Sequence, residues 1–263
     1  MSDTATLDME AGEKQSQTTV STDRPSLLRW VGQPLLCVIA VVASLVYVRI
    51  ADVSESEQRS LGTRALLTLL RQHLTISIIA TVLVSVIAIP LGIVLTRGVM
   101  RRFSKPVITV AGFGQAAPAI GLIALGAAIF GIGTTGAVIA LTVYGALPIV
   151  ANTVAGLQGV DPRLIEAGRG MGMSAMSILV RIELPLALAV IVAGVRTALV
   201  LIVGTAALAT FTGAGGLGSL ITTGITLQQD VTLVVGAILV AALALFIDWL
   251  ARLLELVAAP KGL

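Results

Sequence analysis

The sequence has very little of what most soluble enzymes use for chemistry. It contains one cysteine, Cys37, and one histidine, His73, among 263 residues. A disulfide needs two cysteines, and protein zinc or haem sites usually need several Cys or His ligands, so we expect no metal site in this chain. Charged residues make up only 12%, about half the fraction of an average soluble domain. These absences exclude a disulfide framework and disfavour a soluble metalloenzyme.

Apolar residues fill much of the chain instead, at 56% of the composition with a mean hydropathy of +1.01. A helix crosses a bilayer with about 20 apolar residues. The apolar runs predict an all-α polytopic membrane protein with about six transmembrane helices, near residues 30–48, 74–96, 106–130, 137–157, 185–211 and 231–250. Residues 61–71, between the first two runs, have helically spaced leucines and are expected at the membrane interface.

The polar ends and the long core define four segments. Residues 1–29 lack the apolar stretch of a signal peptide and predict a disordered tail. The segments are the tail 1–29, a first transmembrane helix with an external segment at 30–68, a membrane core at 69–254 and a C-terminal segment at 255–263.

The Lys and Arg residues predict the orientation of the chain. With six spans, one side of the membrane holds three basic residues in the tail, four in 97–105, three in 161–185 and two at the C-terminus. These are 12 of the 17 basic residues. The positive-inside rule therefore predicts that both termini and the segment 161–185 are cytoplasmic.

Segment 161–185 is polar and helix-forming, although it lies between two apolar runs. Asp161-Pro162 is typical of a helix start, because Asp caps and Pro fits the first turn. Gly170 and Gly172 predict a sharp turn. Ser174 then caps a second short helix, from Ala175 to Arg181, before Pro185 begins the next span.

Seven positions of this segment keep a fixed spacing: Glu166, Ala167, Gly168, Gly172, Ile182, Leu184 and Pro185. This pattern, E-A-G-x-x-x-G, then nine intervening residues, then I-x-L-P, resembles the coupling loop of ABC-importer permeases, which docks on a cytoplasmic ATPase. We name residues 161–185 the candidate coupling loop. The family loop usually reads E-A-A, and here Gly168 replaces the second alanine. The candidate coupling residues are Glu166, Ala167, Gly168, Arg169, Gly170, Gly172, Ile182, Leu184 and Pro185.

The resemblance extends over about 69–254 and is similar to the osmoprotectant branch at 115–119, 144–153 and 204–218. It implies a type I importer fold in the bacterial inner membrane, a second permease subunit (the same chain or a paralogue), an external substrate-binding protein and transport of glycine betaine, choline or carnitine. The chain lacks the G-x-x-x-x-G-K-[ST] loop, so ATP and magnesium are expected on a separate ATPase and this subunit is not itself an enzyme. Membrane lipid is the remaining expected partner, and we expect no nucleic acid to bind.

Two other functions stay open at this stage. One is a permease for methionine or another amino acid within the same family. The other is a stand-alone secondary transporter, which would need an intramembrane carboxylate, and Asp248 is the candidate.

Several polar residues in the apolar runs are candidates for the translocation pathway: Gln115, Pro118, Asn152, Arg196, Thr205 and Thr210. Gln115 and Pro118 lie in a break that predicts either exposed carbonyls or a simple packing kink. Arg196 predicts either a pathway charge or a structural pair with a carbonyl or a neighbouring subunit. The two threonines line the outer pathway or form hydrogen bonds within the bundle.

Residues 213–218 formally match G-x-G-x-x-G. A dinucleotide site would need a βαβ unit around this motif, and the sequence predicts a membrane span there instead. We expect a tight external turn within a Gly- and Thr-rich connection at 212–230.

Overall fold

The computed structural model describes residues 27–258, and side chains between 31 and 255. Within these ranges the chain is helical and contains no strand, which confirms the all-α prediction. The chain divides into two units, Met1–Gly32 and Gln33–Leu263, and the contacts described below lie within the second. Most of the predicted disordered tail lies outside the described residues, but its last three positions already belong to the first helix.

The helical elements follow one another with short connections. They are α1 (Leu27–Ile50), α2 (Glu55–Ser60), α3 (Thr63–Val94), a 3₁₀ segment (Gly98–Phe103), α4 (Ser104–Ala116), α5 (Ala119–Phe130), α6 (Thr134–Tyr144), α7 (Ala146–Gln158), α8 (Pro162–Gly170), α9 (Ala175–Ile178), a π turn (Leu179–Glu183), α10 (Leu184–Thr205), a second 3₁₀ segment (Ala206–Thr212), α11 (Gly218–Leu227) and α12 (Asp230–Ala258).

Five stretches are long and apolar enough to cross a membrane: Val31–Ile50, Thr63–Val94, Thr134–Gln158, Ala175–Thr212 and Asp230–Glu255. The sixth predicted span is a pair of shorter helices, α4 and α5, which meet at an angle of 96°. Ala117 is extended and Pro118 follows it, because the residue before a proline avoids helical geometry. The predicted break is therefore an abrupt bend rather than a kink within one helix.

The bent pair crosses the bundle from one end to the other. Arg97, just before it, pairs with Glu183 at the start of α10. Gly133, just after it, donates its N–H to the carbonyl of Thr212 at 2.7 Å. Glu183 and Thr212 lie at opposite ends of the same long helical stretch, so the bent pair begins at one end of the bundle and emerges at the other. Counted as one broken span, it is the sixth candidate crossing.

The first and last helices run in opposite directions beside each other. Gln33 in α1 donates to the carbonyl of Leu245 and to Asp248 at 2.9 and 3.0 Å. Near the other end, Gln229 donates to Ser56 at 2.8 Å. The first turns of α1 after residue 32 and the last turns of α12 therefore lie toward the end of the bundle that carries the candidate coupling loop.

The core of the bundle lies where α3, α6, α7 and α10 meet. Ala80, Ala137, Leu141, Ile149 and Ile202 are all completely buried there. Small residues bring helices close together, as expected in a membrane where association depends on packing. This core supports the loops at both ends.

Some predicted boundaries differ from the structure in detail. Of the residues 61–71 expected at the interface, 63–71 form the start of α3, because nothing in that sequence breaks the helix and Leu66, Leu69 and Leu70 pack against an apolar cluster. The expected connection at 212–230 contains α11, a ten-residue apolar helix. The segment boundaries at 68/69 and 254/255 fall inside α3 and α12.

Candidate functional site

The candidate coupling loop begins with the cap that the sequence predicts. Asp161 accepts the N–H of Arg163 at 2.9 Å, and Pro162 lies in the first turn of α8. The cap satisfies an N–H that has no partner within the helix, and proline has no N–H to lose at this position. The start of α8 is therefore fixed by residues adjacent in sequence.

The turn of the loop uses one of the two predicted glycines. Gly172 has φ +80°, a conformation that other residues rarely adopt. Ser174 follows and accepts the N–H of Ser177 at 3.2 Å, which caps α9. Gly170 does not make the turn: it is the last residue of α8, and a Cβ built on it would meet nothing within 4 Å. Because Gly170 has no side chain, it leaves the surface of the loop open, and it does not determine the backbone conformation of the turn.

The path from the loop into the membrane is continuous, which corrects the prediction of a separate second helix ending at Arg181. The helix α9 passes through the π turn Leu179–Glu183 directly into α10. Pro185 explains the wider turn, because a proline ring clashes with the carbonyl four residues earlier in a regular α-helix. The π turn places an extra residue there and relieves the clash.

Gly168 holds the two arms of the loop together. A Cβ on this buried glycine would lie 3.0 Å from Ile182, 3.4 Å from Ile178 and 3.5 Å from the sulfur of Met173. The close approach packs α8 against the helix that follows it. The remaining predicted residues of α8 and the turn face solvent: Glu166, Ala167, Arg169, Gly170 and Gly172.

An ion pair that sequence reasoning missed anchors the loop to α3. Arg97 Nη1 donates to Glu183 Oε1 at 3.0 Å, and its second terminal nitrogen donates to the other carboxylate oxygen. Glu183 is 5% exposed. A carboxylate between Ile182 and Leu184, at the entrance to a membrane span, needs a partner, and that requirement was the available sequence signal. The pair fixes the distance between α3 and the loop.

A polar cavity of about 290 Å³ lies behind α8. Its charged lining comes from the loop and from the segment after α3, and comprises Arg97, Arg101, Glu166, Arg169 and Glu183. The outer surface of the loop and this cavity together form a charged surface at this end of the bundle.

The pathway candidates are not gathered into one site by any contact in the structure. Asn152 donates to the carbonyl of Pro148 at 2.8 Å and packs against Gly194, which joins α7 to α10. Thr210 and Ser219 share a hydrogen bond of 2.9 Å between their hydroxyls. Pro118 is exposed at the bend, and Gln115 and Thr205 are half-buried. Their role in a pathway stays a prediction.

Arg196 has ionic partners within the same chain. Its Nε and Nη2 donate to one oxygen of Asp248 at 2.9 and 2.8 Å, and its Nη1 donates to Glu255 at 3.1 Å. Asp248 also accepts from Gln33 at 3.0 Å and Arg252 at 3.4 Å. A charge in a membrane span is costly unless paired, so this network ties α1, α10 and α12 together. A pathway role for Arg196 remains a prediction.

The glycine motif lies in a loop pinned to α3, and we name residues 213–217 the glycine loop. The N–H of Gly216 donates to Gln72 at 3.1 Å. The neighbouring His73 is fully buried and its Nε2 donates to the carbonyl of Val203 at 2.9 Å. The motif follows a 3₁₀ segment and leads into α11, so it lacks the βαβ context of a dinucleotide site.

No group of three or more His, Cys, Asp or Glu side chains that could hold a metal ion occurs in the described part of the chain. The described part of the chain is a multi-pass helical bundle with a capped, solvent-facing helix-turn-helix at one end.

The chain belongs to the family of binding-protein-dependent transport system inner membrane components, whose model matches residues 88–256. A chain from inward-facing structures of the MetNI methionine ABC transporter aligns with a TM-score of 0.67 and 24% identity, covering 79% of this chain and 100% of that chain. This likeness shows the type I importer permease fold.

Curated relatives share more of the sequence. The chain is 39% identical over 192 residues to the glycine betaine/carnitine/choline transport system permease protein OpuCB of Bacillus subtilis (strain 168), covering 73% of this chain and 88% of the relative. It is 39% identical, with the same coverage, to the choline transport system permease protein OpuBB of that organism. It is also 39% identical over 197 residues to the osmoprotectant import permease protein OsmW of Salmonella typhimurium (strain LT2), covering 73% and 91%.

Proposed function

We propose that this chain is the membrane subunit of an ATP-driven importer for a quaternary-amine compatible solute: glycine betaine, choline or carnitine. The observation that carries the substrate class is the 39% identity, over most of both chains, to permeases named for these solutes. The methionine alternative is weaker, because the methionine transporter shares the fold at only 24% identity.

The candidate coupling loop is the docking site for a separate ATPase in this proposal. Its exposed surface combines small residues, which let a partner approach closely, with Glu166 and Arg169. These two charged side chains can form ion pairs with the partner at the hydrated edge of the contact. The ATPase carries ATP and magnesium, and the chain itself performs no hydrolysis. Because Arg97 joins Glu183, a movement of the loop is transmitted directly to α3.

Transport then follows alternating access. Closure of the ATPase dimer on ATP draws the coupling loops of two permease subunits together and opens the pathway outward, and hydrolysis returns it inward. A substrate-binding protein delivers the solute at the opposite end of the bundle. The excess of basic residues at the loop end supports a cytoplasmic position for this end and for both termini.

The experiment that tests the proposal measures uptake of labelled glycine betaine in cells that lack their own betaine systems. The full chain is expressed with its cognate ATPase and binding protein. Gly170→Trp fills the open space on the loop without changing a left-handed residue, whereas Gly170→Ala keeps the surface small. We expect the alanine variant to accumulate betaine and the tryptophan variant to lose uptake, although both insert into the membrane equally.

Uptake by the tryptophan variant, or uptake without the ATPase, would contradict the docking role. Uptake of methionine but not of betaine, choline or carnitine would contradict the substrate class and leave the docking role standing.

A further inference from the structure

An apolar groove of about 670 Å³ runs along the membrane-facing surface of α1, α3 and α12. Its floor is built from buried side chains, including Cys37, Leu217 and Ala242, which are 5%, 2% and 6% exposed. Its walls stand open, with Val42 51% and Leu67 61% exposed. The groove has the volume of a small-molecule site, typically about 300–1,000 Å³.

The groove lies parallel to the spanning helices. Along α1 its lining extends from Pro34 to Leu45, which is roughly 16 Å at 1.5 Å per residue. It begins at the first turn of α3, beside Thr63, and reaches the middle of the bundle beside Phe246 in α12. A long apolar chain aligned with the membrane normal fits this shape better than a compact solute does.

Two arginines stand at the rim of the groove. Arg64 and Arg71 are both exposed and lie seven residues apart, which places them on the same face of α3. They line a shallow depression together with Thr63 and Leu67, and these two residues also line the groove. Among the described residues neither arginine forms an ion pair, whereas Arg59 nearby pairs with Glu55 at 3.5 Å.

We propose that one anionic phospholipid occupies this place, with its phosphate between Arg64 and Arg71 and an acyl chain in the groove. Guanidinium groups bind phosphate oxygens through paired hydrogen bonds, and arginines at a membrane surface attract anionic lipids. The lipid belongs to the leaflet at the glycine-loop end of the bundle. The lipid fills the groove between α1, α3 and α12.

A second copy of the chain fits the groove less well than a lipid. It would have to bring free carboxylates to two arginines within an otherwise apolar contact. At this end of the bundle Glu55 already pairs with Arg59, and Glu57 accepts hydrogen bonds from the N–H and hydroxyl of Ser54 at 3.0 and 2.9 Å. The other exposed carboxylates described there, Asp52 and Asp230, lie on the connection after α1 and at the first turn of α12, outside the groove lining. A phospholipid supplies both the anion and the apolar chain in one molecule.

The test uses native mass spectrometry of the delipidated full chain, titrated with phosphatidylglycerol, with phosphatidylcholine of the same acyl chains, or with glycerol phosphate alone. The charge variant is Arg64→Gln with Arg71→Gln, matched by Arg59→Gln. The groove variant is Val42→Trp, matched by Val86→Trp, which lies on an exposed membrane-facing position outside the groove.

We expect the wild-type chain to retain phosphatidylglycerol over phosphatidylcholine and to ignore glycerol phosphate. The double arginine variant should lose roughly tenfold or more in phosphatidylglycerol retention, the Val42→Trp variant should lose both lipids, and the two matched controls should behave as wild type. Equal retention by the arginine variant and its control, or by the two tryptophan variants, would overturn the proposal. A chain that dimerises, and loses its dimer but no lipid in Val42→Trp, would assign the groove to a second copy instead.

Discussion

The two ends of the bundle use glycine in opposite ways. In the candidate coupling loop, a Cβ on Gly170 or Gly172 would meet nothing within 4 Å. At the other end, a Cβ on Gly216 would lie 3.2 Å from His73, and a Cβ on Gly218 would overlap the backbone carbonyl of Ala207. Contacts at its two ends hold the candidate coupling loop, and its turn stays exposed. The glycine loop is held by contacts of its central residues. The open end suits a partner that binds and moves, and the closed end holds the helices together.

The largest effect we predict separates glycines of the two kinds. Gly218→Ala should destabilise the protein by about 3 kcal/mol or more, because its Cβ meets backbone that cannot move without displacing the preceding 3₁₀ segment. Gly170→Ala should change stability by less than about 0.5 kcal/mol. Thermal unfolding of the detergent-solubilised chain measures both. If Gly218→Ala were as stable as wild type and Gly170→Ala were destabilised, the proposed difference between the two kinds of glycine would be wrong.

The second prediction concerns how the open loop is fastened. Glu183→Gln should cost about 2 kcal/mol, since it leaves Arg97 without its counter-charge, and the partial exposure of Arg97 limits the loss. The matched control at the other end is Glu55→Gln, whose pair with Arg59 is almost fully exposed and should cost about 0.5 kcal/mol or less.

Both variants are compared by thermal unfolding and by solute uptake. Uptake should fall in Glu183→Gln and not in Glu55→Gln, because only the first loosens the link between the loop and α3. Equal effects in the two variants would show that the Arg97–Glu183 pair does not fasten the loop.

The smallest effect tests how the closed loop is fastened. Gln72→Ala removes the acceptor for the N–H of Gly216 and should cost about 1 kcal/mol. Amide hydrogen exchange in the glycine loop should speed up, while exchange in the candidate coupling loop stays unchanged. Gln58→Ala, another exposed glutamine at the same end, is the control. Unchanged exchange in Gln72→Ala would mean that packing alone holds the glycine loop.

Local signals in the sequence predicted the open end well. Asp161, Pro162 and Ser174 act on residues two or three positions away, so their caps could be read directly from the chain. Five candidate spans also followed from the length of the apolar runs, and the bent pair is the sixth when it is counted as one span. The family followed from the spacing of the candidate coupling loop, which the family match confirms.

Contacts between distant residues could not be predicted in the same way. Arg97 and Glu183 are 86 residues apart, and Arg196 and Asp248 are 52 apart. Each charge signalled the need for a partner, but only the fold identifies which partner is near. The same holds for glycine, because neither an open surface such as Gly170 nor a close contact such as Gly218 is visible in the neighbouring sequence.

The central claim is that the ATPase docks on the candidate coupling loop and not on the other end of the bundle. Cys37→Ala removes the single cysteine, and a new cysteine is then placed at Met171, 75% exposed in the loop, or at Ile132, 87% exposed at the opposite end. The measurement is cross-linking of each variant to the co-expressed ATPase in membranes. We expect a cross-linked product with Met171→Cys and none with Ile132→Cys. Cross-linking through Ile132→Cys, or none through Met171→Cys in a complex that still transports, would contradict docking on the candidate coupling loop.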